Sequence, residues 1–223
     1  MVQWLESIRP HTKALYLMGD IFDFWYEYKY VVPKGYIRFL AEITRFTDEN
    51  IPVYFFTGNH DIWAFRYFED EIGMTIIRKP LITTINGKIF YLAHGDGLGP
   101  FDKRFKLLKS LFTNKLAQWL FSRIHPNFAL LLGNTWSRKK RYSEKLDQLQ
   151  YKGEEEEWLI QYAKLVLKKQ KIDVFVFGHR HIPIDISITE NNHQAQYLNL
   201  GDWIRNFTYA VMTEDTIGLK KQD

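Results

Sequence analysis

Short apolar runs punctuate the chain, and four of them end in a turn of glycine and polar residues. The runs are ALYLM (14–18), PVYFF (52–56), KIFYLA (88–93) and DVFVF (173–177). Their length and their aromatic and β-branched content predict buried strands. Between the first three, Gly35–Glu49 and Trp63–Glu71 carry helical spacing, and Met1–Pro10 reads as an amphipathic helix with Trp4, Leu5 and Ile8 on one face. From 97 to 170 the pattern changes. No strand stands out there, and Phe101, Phe105, Leu108, Leu111 and Phe112 recur at helical intervals, with a further helix around Trp158–Lys169. Strands resume at Asp173, Ile184–Ile188, Gln196–Leu200 and Tyr209–Met212. Alternating strands and helices predict one α/β domain over residues 1–223, interrupted by a helical insertion at 97–170.

Composition narrows the class. At 223 residues and 46% hydrophobic, the chain can bury a full core. No apolar run reaches the roughly 18–20 residues that span a bilayer, and no secretory signal is legible at the start. With no cysteine, disulfides and thiolate metal sites are excluded, and only His, Asp and Asn are left to hold an ion. These features predict a cytoplasmic protein, soluble or bound at a surface. The net charge of +4 is unevenly spread: residues 102–145 hold eleven Lys or Arg against Asp102 and Glu144, and the rest of the chain is net acidic. A basic block in an acidic protein points to an anionic substrate or surface.

The turns carry the candidate chemistry. They read GDIFD (19–23), TGNHD (57–61), AHGD (93–96) and FGHRH (177–181). Ligands of layered α/β proteins bind at the carboxyl ends of the strands, so four such turns predict a shared site. Asp, Asn and several His form a donor set suited to manganese, iron or zinc. Taken singly, Asp20 reads equally as a turn residue and His94 as a hydrogen-bonded core histidine; their recurrence in four turns is what favours a metal. His11, His125 and His193 lie outside any motif and read as surface residues.

GDxxD, GNHD, HGD and GHxH, in this order, resemble the calcineurin-like metallophosphoesterases. The resemblance implies a four-layer αββα sandwich of two mixed sheets and a binuclear centre of two divalent ions. Asp20 would bridge the ions, Asn59, His94 and His179 would complete one, and His181 would turn to the other. His60 would donate to the phosphate or the departing oxygen, with Asp23 orienting its imidazole. The family's first motif, Asp-x-His after an initial strand, does not occur before Gly19. The expectation is therefore a missing N-terminal strand, a chain that begins inside a longer reading frame, and one incompletely liganded ion.

GDIFDFWYEY (19–28), HGDGLGPFDKRFK (94–106), WSRKK (136–140) and YLNLGDW (197–203) narrow the likeness to the UDP-2,3-diacylglucosamine diphosphatases of lipid A synthesis. That family cleaves the pyrophosphate of a UDP-linked diacylated sugar, generally with manganese. The basic run Arg138–Arg141 suits either a phosphate clamp or a solvated helix face. Arg138 and Lys139 are the expected substrate contacts, followed by Asn134 and by Asp102, which stands where the family places a polar contact to the sugar. In the insertion, Phe101, Phe105, Leu108, Leu111, Phe112, Leu116, Trp119 and Leu120 interleave with Lys103, Arg104, Lys106, Lys109, Lys115 and Arg123. Such a pair of helices can rest on an anionic membrane face or cap acyl chains, which implies peripheral association with the inner membrane. An ordinary helical cap with solvated lysines explains the same pattern. Other phosphoesterase substrates, or a non-catalytic chain keeping one ion and lipid binding, are the competing functions. No nucleic-acid motif is present, so no nucleic-acid partner is expected.

Overall fold

A computed structural model describes residues 1–100, 103–143 and 150–222. They fall into two compact units, one of residues 1–78 with 104–143 and one of the remaining described residues.

The first unit opens with α1 (Val2–Ile8), whose Leu5 is wholly buried. A 3-10 turn, Arg9–His11, leads to β1 (Leu15–Leu17), α2 (Ile37–Asp48), β2 (Val53–Phe56), α3 (Tyr67–Asp70) and β3 (Thr75–Ile77). The sheet order is β1-β2-β3, parallel throughout where a mixed sheet was expected, because helices return the chain between successive strands. On α2, Phe39, Leu40, Ile43 and Phe46 form the buried stripe. They join Leu5, Phe22, Trp25, Phe55 and Phe68 in one core. Glu42 also lies in that helix, buried, and is held by Arg9 at 2.8 Å and Arg45 at 2.9 Å. A carboxylate removed from water requires such partners.

The helix predicted from Trp63 begins only at Tyr67. Trp63 instead forms a parallel bridge with Tyr26, and the Glu27 carboxylate accepts the N–H groups of Phe65 (2.7 Å) and Arg66 (3.1 Å). These bonds hold the 63–66 backbone out of the helix.

Three helices complete this unit: α4 (Lys103–Thr113), α5 (Lys115–Phe121) and α6 (Pro126–Ser143). Asn114 caps α5, its side chain accepting the N–H groups of Leu116 and Ala117. Phe112, Phe121 and Leu130 pack on a platform of Phe24, Tyr26, Ile62 and Trp63. The platform's polar hydrogens go to helix carbonyls: Trp63 Nε1 to Phe112 at 2.7 Å and the Tyr26 hydroxyl to Gln118 at 2.7 Å.

The second unit is a five-stranded mixed sheet, ordered β4-β5-β6-β8-β7, with a separate hairpin of β9 and β10. The strands are β4 (Leu81–Ile85), β5 (Lys88–Ala93), β6 (Val174–Phe177), β7 (Pro183–Glu190), β8 (His193–Leu200), β9 (Thr208–Met212) and β10 (Ile217–Lys221). β5, β6 and β8 run parallel, and β4 and β7 flank them antiparallel. Every residue of β6 is buried, as befits a central parallel strand. The helix α7 (Trp158–Leu167) buries Leu159, Ile160, Ala163, Val166 and Leu167 in a core with Phe175, Phe177 and Tyr197.

Candidate functional site

In the first unit, the parallel pairing of β1 and β2 sets their carboxyl-terminal turns side by side. Asp20 adopts φ +53°, and its Oδ1 accepts the His60 N–H at 2.9 Å. A Cβ on Gly58 would lie 2.2 Å from that same oxygen, so only glycine permits the approach. Asp61 is completely buried, with Oδ2 accepting the Ile21 N–H at 2.9 Å and Oδ1 the Gly58 N–H at 2.6 Å. One carboxylate thereby fastens both turns.

Between these anchors sits Asn59, 3% exposed, with neither its Oδ1 nor its Nδ2 hydrogen-bonded to any described residue. A buried amide left so costs about 1–3 kcal/mol. A cation accepting the Oδ1 lone pair would remove part of that cost, so this residue fits its expected role as a ligand.

His60 is held through its Nδ1. Its Nδ1 lies 2.8 Å from the Asp23 main-chain oxygen. A carbonyl only accepts, so the hydrogen is on Nδ1. The Asp23 carbonyl thus orients the imidazole through this nitrogen. The Trp25 N–H bond to the His60 carbonyl at 2.9 Å lays the 23–25 backbone along the second turn.

In the second unit, the parallel strands β5 and β6 present the other two turns. His94 is 4% exposed, and its Nε2 lies 3.2 Å from His179 Nδ1, the rings meeting edge to face. Two ring nitrogens this close either share a proton or offer both lone pairs to one cation. Backbone bonds fix the pair: the Gly178 N–H donates to the His94 carbonyl at 2.9 Å, and Asn199 Nδ2 donates to the Gly178 carbonyl at 2.7 Å. His179 and His181 both take positive φ, +67° and +56°. For non-glycine residues this conformation costs about 1–3 kcal/mol and concentrates at functional sites. Asn206 Nδ2 donates to the His181 carbonyl at 3.0 Å, and His181 Nδ1 lies 3.9 Å from Asp202 Oδ2. Arg180, between the two histidines, is engaged by both oxygens of the buried Glu157 at 2.8 Å.

Of the other predicted residues, Asn134 is half-buried and Lys139 exposed on α6. Arg138 is described only as helix backbone, and Asp102 lies outside the described residues. His11, His125 and His193 are exposed, as expected. Asp61 and Asn199 were overlooked as positioning residues although both stand inside quoted motifs. A buried Asp or Asn beside a glycine turn is the signal that could have found them.

The calcineurin-like phosphoesterase family pattern matches residues 1–183. The chain belongs to the calcineurin-like phosphoesterases. Calcineurin-like phosphoesterases work with divalent metal ions, which agrees with the donor types in these turns. A relative from Porphyromonas gingivalis (strain ATCC BAA-308 / W83), named UDP-2,3-diacylglucosamine hydrolase, is 38% identical over 100% of this chain and 88% of its own length. Proteins of the same name from Aeromonas salmonicida (strain A449) and Vibrio vulnificus (strain CMCP6) are each 26% identical. They cover 95% and 99% of this chain, and 81% and 89% of their own lengths.

Asp61→Ala leaves two buried N–H groups without an acceptor and should destabilise the protein by about 1–3 kcal/mol for each. Asp61→Asn keeps one acceptor and should lose less. Urea unfolding of the three proteins measures both.

Proposed function

We propose that this chain hydrolyses the pyrophosphate of UDP-2,3-diacylglucosamine, releasing UMP and 2,3-diacylglucosamine 1-phosphate. The observation that carries the reading is the 38% identity, over the full chain, to a relative bearing that substrate's name.

Asp20, Asn59, His94, His179 and His181 are the residues assigned to hold two ions, with manganese the proposed metal and Asp20 the bridge. Bound divalent ions supply Lewis acidity and charge neutralisation at the phosphorus. The chain's own task is to hold those five side chains in fixed directions, and to present His60 to the phosphate. With a hydrogen fixed on Nδ1, His60 has Nε2 as the ring nitrogen left to meet the substrate. Asp102, Asn134, Arg138 and Lys139 are the proposed substrate contacts, where guanidinium and ammonium groups suit phosphate oxygens.

The helices α4 and α5 supply the support for a lipid. Leu107, Leu111, Leu116, Trp119 and Leu120 are 76%, 57%, 65%, 52% and 55% exposed, and Lys106, Lys115 and Arg123 are exposed among them. A shallow cleft of about 520 Å³ runs along α4, lined by Leu107, Leu108, Ser110, Leu111 and Asn114. Phe112 does not join this face, because it packs inward on the aromatic platform. Apolar side chains rimmed by cations suit acyl chains and an anionic bilayer surface together. No helix among the described residues is long and apolar enough to cross a membrane, so the proposed association is peripheral, at the cytoplasmic face of the inner membrane.

Turnover of UDP-2,3-diacylglucosamine with manganese should exceed that of an aryl phosphodiester; faster hydrolysis of the aryl ester overturns the lipid reading. Asp20→Ala should abolish both manganese binding, measured by calorimetry, and turnover. Replacing Leu108 and Leu111 by Ser should reduce kcat/KM on the diacylated substrate by about 10-fold or more while sparing a short-chain analogue. Equal losses on both substrates would make α4 a plain structural cap.

A further inference from the structure

The buried face of α6 carries Ala129, Gly133 and Ser137 at four-residue spacing, all three buried and small. A Cβ on Gly133 would fall 2.5 Å from ring atoms of Phe24. The helix therefore lies directly on the turn that follows β1, closer than any side chain at that position allows. This seating brings the hydroxyl of Ser137, which is 0% exposed, to 3.0 Å from His60 Nδ1. Trp136 stands beside the same imidazole, ring centres 6.2 Å apart.

His60 Nδ1–H already donates to the Asp23 carbonyl, so Ser137 Oγ is its second acceptor. Two acceptors on one nitrogen fix more than one would. Turning the ring over would put a C–H against both oxygens, and removing the hydrogen from Nδ1 would set that nitrogen's lone pair against the carbonyl. One ring orientation remains, with Nδ1 protonated.

We propose that Ser137 is a positioning residue for His60, and that α6, through this hydroxyl, holds the imidazole with Nε2 presented to the phosphate. The proposal rests on the reading of His60 as a phosphate-facing group. It makes the seating of α6 and the readiness of His60 a single condition: a helix displaced from Phe24 also releases the imidazole. The substrate contacts proposed on α6 then report directly to the reacting end of the site.

The test is ¹⁵N-histidine NMR on the full chain, with His60 signals assigned by their loss in His60→Gln, alongside steady-state kinetics. In the unsubstituted protein His60 should show a protonated Nδ1. Ser137→Ala, which removes one of its two acceptors, should shift and broaden the Nδ1 signal and lower kcat by about 10–100-fold with KM little changed. Ser137→Thr, which keeps the hydroxyl, should restore the signal. Gly133→Ala, which leaves Ser137 intact and pushes α6 off Phe24, should reproduce the Ser137→Ala spectrum. Wild-type nitrogen signals and wild-type kcat in Ser137→Ala overturn the proposal. Altered signals without phosphoester turnover in any of the proteins uphold the Ser137–His60 coupling and overturn the hydrolase reading instead.

Discussion

The carboxylate of Asp61 is the fixed point of the first unit's two paired turns. It sits at zero exposure, and its two oxygens are taken by main-chain donors from two different turns. A buried anion accepts such bonds at short range and tolerates their loss poorly. Parallel pairing of β1 with β2 brings the turns into register, but strand pairing alone does not set their separation. Asp61 sets it, Gly58 makes room for it, and Asp20 and His60 take their places as a result. In the second unit Asn199 serves the same end from a third strand, holding the Gly178 carbonyl behind His179.

Sequence periodicity located the strands that end in chemistry, because each is short, apolar and closed by a distinctive turn. It was weaker where the decisive force is tertiary. Trp63–Arg66 has helical spacing, yet the Glu27 carboxylate and the bridge to Tyr26 hold it out of the helix. β3, β4 and β10 escaped notice because they are partly exposed and mix polar with apolar residues. Among the site residues, the motifs named Asp20, Asn59, His60, His94, His179 and His181 by their own chemistry. Asp61, Asn199 and Ser137 are legible only once one knows which backbone or ring atom they meet. The Asp23 main-chain carbonyl that meets His60 Nδ1 is of the same kind, since no side-chain chemistry announces it.

Backbone conformation and polar satisfaction agree on where the molecule carries cost. Asp20, His179 and His181 depart from the conformations that ordinary residues prefer, and Asn59 keeps a buried amide without a partner among the described residues. The remaining non-glycine departures are asparagines, which tolerate that region, and Phe207. Concentrating strain in residues with ligating side chains is what a site shaped for a bound group rather than for its own stability would show.

The three helices 103–143 are fastened to their platform through their main chain. Trp63 and Tyr26 donate to the carbonyls of Phe112 and Gln118 near the helix ends, and Tyr28 reaches that of Ile124. A carbonyl is the same in every amino acid, so these anchors place no demand on the identity of the residue that supplies them. The outward faces of α4 and α5 are thereby released from the duty of holding the helices down. Lineages can rewrite those faces residue by residue, trading one apolar surface for another, while the attachment beneath persists unchanged. Changes to those faces and changes to the anchors that hold the helices fall on different atoms.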